Sequence, residues 1–331
     1  MGEAYLVGQA GWHRQGSKMK PRLRLRAFAL VAVIAMVLAA CGTDAADNGD
    51  VGGREINVVA TTGMIADAVR NVGGDRVDVT GLMGPGVDPH LYRPTASDVS
   101  VLENADIIFY NGLELEGRMT DIFVRLAASK PTVAVTAGLP EDRLQEPPEF
   151  DGKYDPHIWF DVDLWSLTIQ NVQRQLAELD PDSAEIYQAN ADSYIAELQE
   201  LDSYVQEQID TIPEPGRILI TAHDAFGYFG RRYGVEVIGL PGTSTAAEAG
   251  AADVQNLSRL IVERQIKAIF VESSVPRATI EAVQSAVEAG GHDVAIGGEL
   301  FSDAMGADGT PEGTYIGMVR HNVDTIAGAL R

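Results

Sequence analysis

The chain has 331 residues, 45% of them apolar, which is enough to build one large or two medium hydrophobic cores. Its 48 acidic against 25 basic residues give a net charge of −23; residues 1–40 hold six of the basic residues and one acid, so the remainder carries 19 against 47, or −28. A surface of that sign repels nucleic acid and anionic headgroups and gathers cations only diffusely, which excludes a nucleic-acid binder without identifying a metal site.

Lys18, Lys20, Arg22, Arg24 and Arg26 form a basic segment ahead of an uninterrupted apolar run at 27–40. Those 14 residues are too few to cross a bilayer as a helix, which takes about 20, so residues 1–40 read as a signal peptide. Met19-Lys20 makes a more ordinary start for it than Met1. The run ends in Leu38-Ala39-Ala40-Cys41, which looks like the lipobox of bacterial lipoproteins, with Cys41 lipidated and first in the mature chain. Cys41 is also the only Cys, which excludes an intramolecular disulfide and a thiolate cluster, so any metal is held by nitrogen and oxygen. Residues 41–53, rich in Gly, Asp and Ala without apolar periodicity, read as a flexible tether.

From residue 54 onward, short β-branched runs predict strands at 56–60, 77–82, 107–110 and 132–135, with helical patterns at 64–72, 96–104 and 118–128. This is the alternation of a parallel α/β layer. A second set follows, with strands at 217–221, 235–238, 268–271 and 294–296 and helices at 225–233, 253–265, 278–289 and 314–329. Between the sets, Pro181 opens a segment free of further Gly or Pro to residue 210, with Ile186, Tyr187, Tyr194, Ile195, Leu198, Leu201, Val205 and Ile209 at helical spacing. A helix of about 29 residues would run about 43 Å, the length of a whole domain. The expected organisation is an α/β lobe at 54–180, a linking helix at 181–211 and a similar α/β lobe at 212–331, and a single rigid link limits hinge motion.

Five His follow the leader, and three sit in similar surroundings: Asp88-Pro89-His90, Asp155-Pro156-His157 and Thr221-Ala222-His223-Asp224. Each lies at or near a strand-to-helix transition, where open α/β sheets place ligand-binding groups. A lone His is more often a surface or core residue than a ligand, but three in matching positions reverse that preference.

At these residues the chain resembles a family. The stretch Gly86-Val87-Asp88-Pro89-His90-Leu91-Tyr92-Arg93-Pro94-Thr95 and the stretch Asp155-Pro156-His157-Ile158-Trp159-Phe160-Asp161 look like the first two metal motifs of the zinc- and manganese-binding lipoproteins of ABC importers, the TroA-like group. The match continues through His223-Asp224-Ala225-Phe226-Gly227-Tyr228-Phe229 and Gly298-Glu299-Leu300-Phe301-Ser302-Asp303-Ala304, and covers essentially all of 54–331. The resemblance implies two similar α/β lobes with parallel sheets joined by one long α-helix. It also implies one Mn²⁺ or Zn²⁺ ion in the interdomain cleft, held by His90 and His157 from the first lobe and His223 and Asp303 from the second. It further implies a monomer anchored by lipid on the extracytoplasmic face of the cell membrane, serving the permease of an ABC importer and its cytoplasmic ATPase.

Neutral imidazoles with a carboxylate suit these two ions, whereas Ca²⁺ and Mg²⁺ prefer oxygen shells. Four protein ligands without an open position describe a holding site rather than a catalytic one. Residues 114–156 contain no His, unlike the His-rich insert common in zinc specialists, and His223 stands where manganese specialists commonly carry Glu, so both ions stay open. Glu272, at the end of a predicted strand, either orients a ligand His or is a strand-end acid at the cleft. His292 after Gly290-Gly291 reads as an exposed turn residue and His321 as solvated or capping, while Glu141, Asp142, Glu146 and Glu149 read as a solvated loop.

Three other functions compete. A secreted zinc hydrolase would use the same ligand types, but no His-Glu-x-x-His helix is present. A surface adhesin would need an adhesive repeat or apolar patch, and a siderophore or corrinoid binder would leave the four motifs unexplained. With neutral imidazoles as ligands, affinity is expected to fall through the low pH sixes, and release is expected to need local rearrangement around His223 and Asp303.

Overall fold

The computed structural model describes residues 53–150, 152–240 and 250–331, apart from the side chain of Glu149; the leader, Cys41 and all of the tether but Gly53 lie outside the described residues. The first lobe is built on a parallel sheet of β1 (Ile56–Ala60), β2 (Val77–Gly81), β3 (Ile107–Tyr110) and β4 (Thr132–Ala134), in the order β2-β1-β3-β4. The two central strands are the most apolar, as a parallel sheet covered on both faces requires. Helix α1 (Gly63–Gly73) buries Met64, Ile65, Ala68, Val69 and Val72 at helical spacing and stops where Gly74 turns to φ 53°. Helix α2 (Ala96–Asn104) starts at a Thr95/Asp98 capping box, and Lys130 Nζ donates to the carbonyls of Leu102, Glu103 and Ala105 at its other end. The stretch expected to be a helix at 118–128 is a 3-10 turn followed by α3 (Thr120–Leu126).

Helix α4 (Val162–Leu179) is an addition to the elements expected. Asp161 caps it by accepting from the Leu164 amide at 2.9 Å, and Val162, Leu164, Trp165, Ile169, Val172 and Leu176 form its buried face. The linking helix α5 (Ala184–Asp210) follows after a 3-10 turn at Pro181–Ser183, so it begins three residues later than the segment read from the sequence. Its 27 residues span about 40 Å, and Tyr187, Ala191, Tyr194, Leu198, Leu201, Val205 and Ile209 form one buried stripe.

The second lobe has β5 (Ile218–Thr221), α6 (Gly227–Tyr233), β6 (Glu236–Gly239), α7 (Ala251–Arg264), β7 (Ala268–Glu272), α8 (Ala278–Ala289), β8 (Ala295–Leu300) and α9 (Tyr315–Leu330). Among the described residues its strands pair as two parallel couples, β5 with β6 and β7 with β8, with β5 also touching β7. Strand β8 runs past the expected 294–296 to Leu300 through an irregularity at Gly297-Gly298. A Cβ on Gly297 would lie 2.7 Å from the Phe270 ring, and Gly298 has φ 146°, so both glycines are needed to bring the strand to Asp303.

Helix α5 packs against α1 and α4 of the first lobe and α9 of the second, and one apolar core runs without a break from Ile56 through Tyr187 and Leu201 to Leu330. The buried Asp67 carboxylate on α1 ties three elements together, accepting from Tyr194 Oη on α5 at 2.9 Å and from the Tyr315 amide on α9 at 3.2 Å. No helix among the described residues is long and apolar enough to cross a membrane.

Candidate metal centre

All four expected ligands leave the C-terminal side of the sheets, where strand ends expose backbone groups and side chains to a common cleft. His90 lies in the loop after β2, His157 between β4 and α4, His223 directly after β5 and Asp303 after β8. The structure brings the four together: one ligand atom from each lies within 4.8 Å of the others, and all four residues are buried. His157 Nε2 is 3.2 Å from the Nε2 of both His90 and His223. Asp303 Oδ1 is 3.4 Å from His157 Nε2, and its Oδ2 is 3.5 Å from His90 Nε2 and 3.7 Å from His223 Nε2. A tetrahedral shell with bonds of about 2.0–2.2 Å has edges of about 3.3–3.6 Å, so the group has the dimensions of a shell around one ion. Because both carboxylate oxygens face the imidazoles, Asp303 can offer one or two donors.

Each imidazole is aimed by its surroundings. In both Asp-Pro-His motifs the Asp two residues earlier accepts the His amide, at 2.8 Å for His90 and 2.9 Å for His157, closing an Asx-type turn. Asp155 Oδ1 also meets His157 Nδ1 at 2.7 Å. His223 lacks such an Asp, and Glu272 at the end of β7 takes its place, accepting the His223 amide at 3.0 Å and meeting Nδ1 at 2.9 Å. For His157 and His223 these contacts leave Nε2 facing the cleft and put the proton of the neutral ring on Nδ1. Sequence reasoning quoted Asp88 and Asp155 but gave neither a role; their repeated position two residues before a His was the available signal.

The His157 and His223 segments are also braced to each other across the lobes. Phe160 stacks on Phe226 with centroids 4.3 Å apart, and Tyr228 Oη donates to the Asp155 carbonyl at 3.0 Å while accepting from the Gln145 amide at 3.1 Å. Asp161 lies 3.3 Å from Arg143 and 3.6 Å from Arg231 on α6. Trp159 Nε1 donates to the Ser302 carbonyl at 3.0 Å, which positions the segment carrying Asp303.

Electrostatics separates the four residues. Burial, together with the neighbouring imidazoles, pushes His90 and His157 well below the ordinary imidazole value. Burial acts the same way on His223, but the Asp303 and Glu272 carboxylates outweigh it and raise the group to about 10. Burial raises Asp303 to about 7 against the pull of His223. Both Asp303 oxygens are buried without a hydrogen-bond partner among the described residues, an arrangement that costs free energy unless a cation completes it.

The remaining candidates stay outside the group. His292 Nε2 meets the Ile266 carbonyl at 2.8 Å and His321 Nε2 the Glu299 carbonyl at 3.0 Å. Glu141, Asp142 and Glu146 are exposed, and the Glu149 side chain lies outside the described residues.

Comparison with known proteins gives the context of this centre. The family described as zinc-uptake complex component A, periplasmic, matches residues 58–329. The zinc-binding protein TroA of Treponema pallidum is 52% identical over 82% of this chain and 88% of its own length, and the manganese-binding lipoprotein MntA of Bacillus subtilis is 46% identical over 93% and 100%. The solved structure of the periplasmic zinc-binding protein TroA from Treponema pallidum aligns with a TM-score of 0.81 at 51% identity, covering 83% of this chain and 99% of that one. With its two α/β lobes, long linking helix and buried His and Asp group in the cleft, the chain belongs to the zinc-uptake component A family of TroA-like metal-binding solute-binding proteins.

Proposed function

We propose that this chain captures one divalent transition-metal ion, Mn²⁺ or Zn²⁺, with His90, His157, His223 and Asp303, and delivers it to the permease of an ABC importer driven by a cytoplasmic ATPase. The observation that carries the assignment is Asp303, a carboxylate buried without a hydrogen-bond partner among the described residues and facing three imidazole Nε2 atoms at 3.4–3.7 Å. Four protein ligands form a holding site, and delivery rather than catalysis is its use. Relatives of similar identity are named for zinc and for manganese, and three imidazoles favour zinc in intrinsic affinity on the general order for divalent ions. The cell decides by availability which ion is carried.

The protein acts as a monomer on the extracytoplasmic face of the membrane, held by lipid on Cys41 through the tether at 42–53. The Leu38-Ala39-Ala40-Cys41 sequence supports the anchor, as do relatives named as lipoproteins. Deleting the gene and following uptake of labelled manganese and zinc tests transport: loss of uptake of one ion, restored by the wild type and not by Asp303→Ala, is expected. Unchanged uptake of both would refute the reading. Mass spectrometry of detergent-extracted protein should find diacylglyceryl on Cys41, and a soluble product with an intact leader would remove the anchor from the account.

A further inference from the structure

Resting on the four-ligand reading above, we propose that the cavity beside His90 is the port through which metal and solvent exchange, and that His90 is the ligand that lets go first. A cavity of about 190 Å³ is lined by His90, Leu113, Glu114, Arg118, Lys153 and Tyr154, among others. Its two walls are the segment after β3 and the segment before His157, and the Lys153–Glu114 ion pair at 2.6 Å joins them.

Three observations set His90 apart. His157 and His223 each have Nδ1 held by a carboxylate, at 2.7 and 2.9 Å, while no carboxylate among the described residues meets His90 Nδ1. The His157 and His223 segments brace each other through Phe160, Phe226 and Tyr228, whereas His90 sits in a loop without regular structure between β2 and α2. His90 is also the one ligand of the four that lines this cavity, while His157 is wholly buried.

The wall after β3 is itself held in a fixed conformation. Gly112, Leu113 and Glu114 follow one another with φ of 85°, 52° and 64°, a conformation that non-Gly residues rarely adopt. The buried Glu116 carboxylate fixes it, accepting from the Asn111 amide at 2.7 Å, the Gly112 amide at 3.4 Å and Thr61 Oγ1 at 2.6 Å. A fixed wall on one side and an exposed Lys153–Glu114 ion pair across the mouth fit a gate rather than a sealed core.

Chemical rescue and exchange kinetics test the port together. In the mature protein loaded with Co²⁺ from a metal buffer, His90→Gly should lose the d–d bands of the wild type, and added imidazole should restore them through the cavity. His157→Gly and His223→Gly, checked for folding by circular dichroism, should not be rescued. In a second arm, Lys153→Ala should raise the on-rate and off-rate of Co²⁺ by the same several-fold factor at unchanged Kd, whereas a purely electrostatic effect would raise the on-rate alone. Equal rescue of His157→Gly or His223→Gly, no rescue of folded His90→Gly, or a Lys153→Ala effect confined to the on-rate would overturn the port. A wild type that takes up no Co²⁺ would instead refute the ligand assignment on which it rests.

Discussion

Lowering the pH from about 8 to about 7 should weaken metal binding about tenfold, because one proton must leave the site when the ion enters. His90 and His157 are held neutral by burial and contribute nothing to this change. His223 keeps a proton up to about 10 through Asp303 and Glu272, and Asp303 takes one near 7. The metal needs the lone pair on His223 Nε2, so the ion displaces that proton while Nδ1 stays bonded to Glu272. The metal-free protein therefore binds more protons than the loaded one, and affinity rises with pH. Between about 7 and about 10 the difference is one proton, which is a factor of ten or about 1.4 kcal/mol per pH unit. Below about 7 the Asp303 proton adds a second, and the slope approaches a hundredfold per unit. Calorimetric titrations at a pH of about 8 in two buffers of different ionisation heat read the proton count directly. No released proton, together with an affinity that is flat from about 7 to about 9, would refute the reasoning. The free-imidazole value in the low sixes, expected from sequence, is displaced because two carboxylates flank one of the three rings.

Three further outcomes follow from the same geometry. Glu272→Gln leaves one of the two His223 N–H groups facing an amide NH₂, and should weaken binding about 10- to 100-fold in competition with a chelator; unchanged affinity would contradict the aiming role. Phe226→Ala removes a fully buried ring stacked on Phe160 and should cost about 3–5 kcal/mol of stability in denaturant titrations, with a loss under about 1 kcal/mol contradicting the brace. Small-angle scattering should show nearly the same radius of gyration with and without metal, because α5 and the continuous core bind both lobes together; a wide opening would contradict this.

Much of this arrangement was readable in the residues because the determining signals are local. The strands at Ile56–Ala60 and Ile107–Tyr110 and the helices at Ala96–Asn104 and Ala278–Ala289 fall where β-branched runs and helical patterns put them. Helix α4 carries an equally clear signal, an Asp cap followed by Leu164, Trp165, Ile169, Val172 and Leu176, yet the expected elements leave residues 162–180 unassigned. The four residues that the structure brings together were legible because their neighbours in sequence are distinctive. Glu272 was legible only as one of two readings, since its contact with His223 spans 49 residues and depends on β5 lying beside β7. The extension of β8 was hidden by Gly297-Gly298, which reads as a turn until the approach of Phe270 shows why no side chain fits there.

The central claim is one ion held by four named side chains, and calorimetry of metal binding to six single Ala variants tests it most directly. His90→Ala, His157→Ala, His223→Ala and Asp303→Ala should each weaken the single one-to-one site, with His157→Ala and Asp303→Ala the most severe because those side chains are fully buried at its centre. His292→Ala and His321→Ala should bind as the wild type does, since their Nε2 atoms meet the carbonyls of Ile266 and Glu299 and both rings lie outside the group. Full-strength one-to-one binding in the His157→Ala or Asp303→Ala variant, or a loss equal to theirs in His292→Ala, would contradict it.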